Sequence, residues 1–318
     1  MNITTLADVE AAAARIAGKA LRTPLLPAAW GDPRTPLYLK PESLQPTGAF
    51  KLRGATNAVL QLDPGSRARG VVTHSSGNHA QALAWAARAA GVPAAIVMPD
   101  NAPAVKVDAT RALGAEVVLV PVAERETAAE ELCRERGATM VPPYDDAAVI
   151  AGQGTVGLEL VQDLPGMAAV LVPVSGGGLI SGVAAAVKAV SPTTRVVAVE
   201  PELAADLAEG FASGRRTTWA PEQTERTIAD GLRVTAVGEL AWMHIRRLVD
   251  DVVTVSEDAL LSAMRRLATG SRLVAEPSGA ATTAAYLQHA DALPDGPVVA
   301  VVSGGNVQPD LLARVLRG

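Results

Sequence analysis

From residue 70 onward, short apolar runs alternate with helix-forming runs, and several of the helical runs stop at a glycine. The spacing predicts a β-branched strand over 70–73 and an alanine-rich helix over 78–90, ended by Gly91, a favourable residue just past a helix C-terminus. A strand over 93–98 and a helix over 104–113, stopped by Gly114, come next. A strand over 115–120 then leads to a helix over 124–136, closed by Gly137, and 139–141 begins another strand. Three successive strand–helix units of this length imply a parallel sheet covered by helices. The alternation resumes after residue 150, with strands predicted over 168–174, 195–199, 251–255 and 297–302 and helices over 180–190, 257–268 and 279–289. Residues 210–226 are rich in small and polar side chains and read as a long loop.

The composition agrees with buried parallel strands. The chain of 318 residues is 49% hydrophobic but only 3% aromatic, so its core must be built from Ala, Val and Leu. With 19% charged residues it has none of the character of a disordered chain. The length suits one large domain or two intermingled ones. The formal charge is −5 and no basic stretch is dense enough to track a phosphate backbone, which argues against a nucleic-acid partner. Cys133 is the only cysteine, which rules out an intramolecular disulfide and a thiolate metal cluster and suits a reducing compartment. Asp8 and Glu10 interrupt the first 18 residues, so they do not read as a signal peptide; Thr5 to Asp8 resembles a helix N-cap. No run of 18 uncharged apolar residues predicts a membrane span. The expectation is a cytoplasmic protein with no membrane partner.

Four clusters carry possible chemistry. Pro46-Thr47-Gly48-Ala49-Phe50-Lys51-Leu52-Arg53-Gly54 places a lysine after a turn and beside one of the two phenylalanines. An apolar pocket would favour its neutral amine, which suits Schiff-base chemistry; a solvated lysine at a helix start is the plainer alternative. Ser175-Gly176-Gly177-Gly178-Leu179 joins a predicted strand to a predicted helix. Glycines admit a ligand close to the backbone and a helix N-terminus attracts anions, so this is a candidate phosphate cradle; an ordinary glycine-rich turn is the alternative. Ser75-Ser76-Gly77-Asn78-His79 sits at a similar junction, where it can bind a carboxylate or simply cap the helix. Ser303-Gly304-Gly305-Asn306 follows the last strand. In a parallel sheet ligands gather at the carboxyl ends of strands, and three of these clusters fall there. Together the four ask for a carrier that reacts with an amine and is also a phosphate ester, and pyridoxal phosphate meets both demands. Glu200 and Asp206 form a weaker pair, either two solvated acids or oxygen ligands for Mg²⁺ or Ca²⁺.

The clusters resemble the signature of the fold-type-II pyridoxal-phosphate enzymes, in particular the serine racemase and threonine dehydratase family. The resemblance runs from about Thr23-Pro24-Leu25 to Asn306-Val307. It includes Val149-Ile150-Ala151-Gly152-Gln153-Gly154-Thr155, Thr227-Ile228-Ala229-Asp230-Gly231 and Glu276-Pro277-Ser278-Gly279. It implies an α/β fold of two domains, each a mainly parallel twisted sheet covered by helices, like the tryptophan synthase β chain. Residues 1–66 and 148–318 would form the large domain and 67–147 a small mobile one, with the cofactor in the cleft between them. No regulatory domain is expected after residue 318, and a homodimer is the implied assembly.

The resemblance also implies roles. Lys51 would carry pyridoxal phosphate as a Schiff base and shuttle the substrate Cα proton on one face. Phe50 would pack on the ring, Asn78 bond its hydroxyl, and Ser303 face its nitrogen. Ser175, Gly176, Gly177, Gly178 and Leu179 would hold the phosphate, while Ser75, Ser76, Gly77, Asn78 and His79 would hold the substrate carboxylate. Glu200, the Ala204 carbonyl and Asp206 would bind a divalent cation, Mg²⁺ or else Ca²⁺ or Mn²⁺. The implied activity is a dehydratase (ammonia-lyase) converting L-serine, L-threonine or a related β-hydroxy amino acid to a 2-keto acid and ammonia. The alternative is an amino-acid racemase with Lys51 and Ser76 as acid and base on opposite faces; a non-catalytic binding protein would need neither. Arg125, Arg134 and Arg136 are all candidates for a substrate-lid arginine.

Overall fold

The structure, a computed structural model, describes residues 2–102 and 104–317. The outer ends expected for the large domain, Met1 and Gly318, lie outside the described residues. In chain order the strands are β1 (Leu26–Pro27), β2 (Leu37–Pro41), β3 (Val71–His74), β4 (Ala94–Pro99), β5 (Glu116–Val120), β6 (Thr139–Met140), β7 (Ala169–Pro173), β8 (Arg195–Pro201), β9 (Asp251–Val255) and β10 (Val298–Val302). The helices of the first half are α1 (Leu6–Ile16), α2 (Lys51–Gln61), α3 (Pro64–Arg69), α4 (Asn78–Ala90), α5 (Ala104–Ala112), α6 (Arg125–Arg136) and α7 (Ala147–Asp163). Those of the second half are α8 (Gly178–Val190), α9 (Asp206–Ser213), α10 (Pro221–Thr224), α11 (Glu239–Leu248), α12 (Glu257–Gly270), α13 (Pro277–His289) and α14 (Pro309–Arg317).

Two sheets result. The larger runs β1-β2-β10-β7-β8-β9, with only the β1–β2 pairing antiparallel. The smaller runs β5-β4-β3-β6 and is parallel throughout. The continuous apolar strands are explained by burial on both faces. In β10, Val298, Ala300 and Val302 join one core and Val299 and Val301 the other. In β7, Ala169 and Leu171 face the first core while Val170 and Val172 face the second. Side chains alternate across a strand, so a sheet with helices on both faces needs an apolar residue at every position. The small sheet repeats this, with Val71, Ile96 and Met98 on one side and Val72, Ala95 and Val97 on the other. Thr5 and Asp8 cap α1 reciprocally, as their spacing suggested.

The expected strands and helices fall within a few residues of those observed, but the stretch 210–226 is not one loop. It contains the end of α9, closed by Gly214 at φ 74°, and the short α10, entered through Pro221. The longest helix among the described residues, α7, was not among those expected. Every residue from Val149 to Val161 in it is buried, so it shows no amphipathic stripe, and its glycines argue against a helix on propensity.

Those glycines are contact points. A Cβ on Gly152 would lie 2.6 Å from the Gly54 Cα, and one on Gly182 would lie 2.4 Å from the Gly154 nitrogen. Helices α2, α7 and α8 therefore cross at backbone contact. A buried charge cluster fixes the same crossing. The Arg53 guanidinium donates to Glu42 (2.7 and 2.8 Å) and to Glu159 (2.6 and 2.9 Å). Lys40 Nζ donates to Glu159 at 2.6 Å. Helix α2 also gives Ala55, Ala58 and Val59 to the small-sheet core, so it links the two halves. Gly152→Ala should therefore push α2 off α7 and cost about 2 kcal/mol. A lowered urea midpoint together with weaker pyridoxal-phosphate uptake is the expected result, and an unchanged midpoint would show the crossing to be slack.

Candidate active site

The sheet topology brings the predicted clusters together. The turn 75–77 follows β3, Ser175-Gly176-Gly177 closely follows β7, and Ser303-Gly304 follows β10, each at a carboxyl end. The lysine segment is stitched to the last of these. Phe50 N donates to Ser303 O at 3.0 Å, Ala49 pairs with Gly304, and Gly305 N donates to Gly48 O at 2.9 Å. Lys51 thus begins α2 directly beside the end of β10.

The Lys51 side chain is half-buried. Its Nζ lies 5.2 Å from the Phe50 ring centroid and donates to the Pro143 carbonyl at 2.5 Å. No carboxylate pairs with it among the described residues. Desolvation lowers its pKa to about 8, against 10.5 for an ordinary lysine. A desolvated lysine with no counter-charge among the described residues is a nucleophilic amine near neutral pH.

The triglycine turn has the form of an anion cradle. Among the described residues, the N–H groups of Gly176, Gly177, Gly178 and Leu179 donate to no protein acceptor. Gly177 adopts φ 88°, which only glycine takes without strain, and it opens α8. A Cβ on Gly176 would lie 2.2 Å from the Tyr144 ring. Four free N–H groups at the start of an apolar helix suit a phosphate, so this chain fits pyridoxal phosphate at both of its anchor points. The Ser175 Oγ accepts from Val234 N at 3.2 Å.

Asn78 opens α4 and reaches across to the other half of the molecule. Its Nδ2 donates to Glu276 at 2.7 Å and its Oδ1 accepts from Asn306 at 2.8 Å. Ser75 Oγ accepts from Gly77 N at 3.2 Å, and the N–H groups of Asn78 and His79 have no acceptor among the described residues. The His79 side chain is turned inward, 2% exposed, with Nε2 2.9 Å from Val141 O. Burial pushes its pKa down to about 3, so the ring is neutral and only its backbone faces the helix mouth. The Ser76 hydroxyl bonds no described group and is half-buried. Ser303 is buried, its Oγ donating weakly to Ser278 O at 3.4 Å.

Glu200 is fully buried at the end of β8, and its oxygens accept from Leu207 N (3.2 Å) and Ala208 N (2.8 Å). Asp206 accepts from Val237 N at 3.2 Å. Burial, then the Asp206 charge, pushes the Glu200 carboxyl well above its usual range, and burial raises Asp206 to about 7. Neither has an ion-pair partner among the described residues, where no cluster of three metal-ligating side chains occurs either. The neighbouring Gly238 N donates to Gly176 O, which ties this corner to the triglycine turn. Two of the candidate lid arginines are engaged elsewhere: Arg136 pairs with Glu116, and Arg125 donates to Val122 O.

Sequence reasoning gave no role to Pro143, Tyr144 or Glu276, and placed Asn306 in the fourth cluster without a role of its own. The signals were present but plain: a Pro-Pro-Tyr turn ahead of α7, and an acid directly before the proline that opens α13.

The family profile described as "Pyridoxal-phosphate dependent enzyme" matches residues 16–304, and the chain belongs to that family, with fold type II. Serine racemase of Oryza sativa subsp. indica is 42% identical over 314 residues, covering 96% of this chain and 91% of that protein. A catabolic L-threonine dehydratase of Staphylococcus aureus is 40% identical over 323 residues, covering 99% and 92%. The structure of maize serine racemase superposes with a TM-score of 0.93 at 39% identity, covering 99% and 98%. Relatives of both activities match about equally well.

The amine makes a direct prediction. In cofactor-free protein, the pH profile of Lys51 acylation, read by peptide mass spectrometry, should have its midpoint near pH 8, protonated below and reactive above. A midpoint near 10.5 would mean that the amine is solvated.

Proposed function

We propose that the protein is a pyridoxal-phosphate-dependent dehydratase of β-hydroxy amino acids, acting on L-serine, L-threonine or L-threo-3-hydroxyaspartate. The observation that carries this is the Lys51 amine, without a counter-charge among the described residues, held at the Pro143-Tyr144 turn that also packs against the triglycine turn with its free N–H groups. The cofactor, when bound, supplies an electron sink for the substrate's Cα bond. The chain's own residues do the rest. The N–H groups of 176–179 hold the phosphate, and Phe50 supports the ring beside the amine. The helix α4 mouth, with its free Asn78 and His79 N–H groups, binds the substrate carboxylate. Neutral Lys51 takes the Cα proton on its own face and is the nearest acid for a departing β-hydroxyl. Loss of water and then hydrolysis give the 2-keto acid and ammonia. Ser303 is a hydroxyl and not a carboxylate, so it does not stabilise a protonated ring nitrogen; this favours rapid elimination.

Ser76 supports a second reading, as an amino-acid racemase. Its hydroxyl, uncommitted to any described residue, suits a proton donor on the face opposite Lys51. Residues 67–147 are taken as the unit that closes over the substrate and excludes water, with 1–66 and 148–318 as the body. Glu200, the Ala204 carbonyl and Asp206 are taken as ligands of a divalent cation, which would offset two otherwise uncompensated buried acids. A cytoplasmic homodimer is the assembly we expect. No helix among the described residues is long and apolar enough to cross a membrane.

Keto-acid release and D-amino-acid formation from the three L-substrates separate the readings. Lys51→Ala should lose at least about a hundredfold in both. Ser76→Ala should abolish D-product formation and spare elimination; equal loss of both would defeat the two-face assignment. For the cation, added Mg²⁺ should raise the melting temperature of the parent protein but not that of Asp206→Ala. A variant that keeps the full increase would place the ion elsewhere.

A further inference from the structure

We propose that Glu276 and Asn306 are positioning residues that clamp the Asn78 carboxamide from both ends, leaving one N–H free for a ring oxygen of the bound cofactor. The inference rests on the cofactor assignment above and goes beyond it.

The hydrogen bonds leave a single consistent orientation. The Thr47 carbonyl can only accept, so the Asn306 atom 2.9 Å away is the amide nitrogen. The same nitrogen gives its second proton to Asn78 at 2.8 Å, so that atom of Asn78 is its oxygen. The Asn78 nitrogen must then face the other way, where it meets Glu276 Oε1 at 2.7 Å. One of its two protons is spent there and one remains. An isolated asparagine can turn over at little cost, but this one cannot, because both neighbours would then oppose like atoms.

The backbone is shaped to admit the clamp. A Cβ on Gly304 would lie 2.1 Å from Glu276 Oε1, and one on Gly48 would lie 2.3 Å from Asn306 Oδ1. Glu276 itself is 5% exposed at the start of α13, with its N–H bonded to Gly304 O at 3.1 Å. It has no ion-pair partner among the described residues. Burial, then the charge of Asp230, raises it to about 7, with Asn78 and Lys106 opposing. A carboxyl kept there against desolvation needs a reason, and the Asn78 bond is the only hydrogen bond its side chain makes among the described residues. The clamp also spans the molecule: Asn78 sits on α4 of the small sheet, whereas Glu276 and Asn306 belong to the large one. Asn78 therefore takes its working orientation only when the halves are together.

The test uses the full chain, stripped of cofactor and titrated with pyridoxal phosphate. Affinity, the visible absorbance band and far-UV circular dichroism are read for each variant. Glu276→Ala and Asn306→Asp should each raise Kd roughly tenfold, the loss of about one hydrogen bond, and should shift the visible band. Glu276→Gln keeps an acceptor and should stay within about twofold of the parent. In an Asn78→Ala background, Glu276→Ala should add nothing. If it adds its full factor there, or if Asn306→Asp keeps the parental Kd and band, the clamp is wrong. Should Glu276→Ala not fold, Asn306→Asp and Glu276→Gln still decide. A parent protein that takes up no pyridoxal phosphate would defeat the cofactor assignment itself, a result distinct from parental uptake with unaltered variants.

Discussion

The buried guanidinium of Arg53 holds together everything on which the site depends. It lies two residues beyond Lys51 on α2, and its five N–H groups are shared between Glu42 directly after β2, Glu159 and Thr155 on α7, and the Leu21 carbonyl. Lys40 balances the second carboxylate, so two cations meet two anions. Burial alone would raise Glu42, but the Arg53 charge and its bonds outweigh that and hold the carboxyl below its usual range. Such a cluster is not a bargain in stability, since well-packed apolar residues often do as well. What it provides is direction. A planar fork accepts a carboxylate in few orientations, so the start of α2 is fixed in rotation as well as in position.

The glycine contacts complete this placement. Ridges of side chains would separate α2 and α7 by a normal interhelical distance; glycines at 54 and 152 let the backbones touch. Lys51 is then drawn against the end of β10 and under the turn carrying Pro143. The same economy appears at 176–178, where side chains are absent because Tyr144 and Ala241 occupy that space on one side and the N–H groups must stay free on the other.

How much of this could be read from the sequence follows from what each feature looks like locally. Strands buried on both faces appear as unbroken apolar runs, and a strand-to-helix turn rich in glycine is conspicuous. The smaller sheet, four of the six strands of the larger one and three of the four clusters were therefore legible, and so was Lys51 once the clusters were taken together; β1 and β2, short and ahead of the regular alternation, were not. Helix α7 was not, because a helix buried all round carries no stripe and its glycines mimic a loop. The Arg53 cluster draws on Glu42, Glu159 and Lys40, far apart in the chain, and no local pattern announces such a meeting. Glu276 and Asn306 were within motifs already noticed, but their partner Asn78 is about 200 positions away, so only the folded chain shows what they hold.

The electrostatics separate scaffold from site more sharply than burial does. Lys40 and Arg53 are buried and fully paired, and Glu42 and Glu159 answer them, so their charges cancel within one cluster. Lys51, Glu200, Asp206 and Glu276 are also withdrawn from water, yet none has an ion-pair partner among the described residues, and each is shifted toward its neutral form. A chain selected for stability alone would have paired these groups or replaced them with apolar ones. Lys51 and Glu276 lie beside the end of β10, and Glu200 and Asp206 at the end of β8, where bound ligands would supply what the protein withholds. The unsatisfied groups are thus best understood as half of a set of interactions whose other half arrives with the ligands.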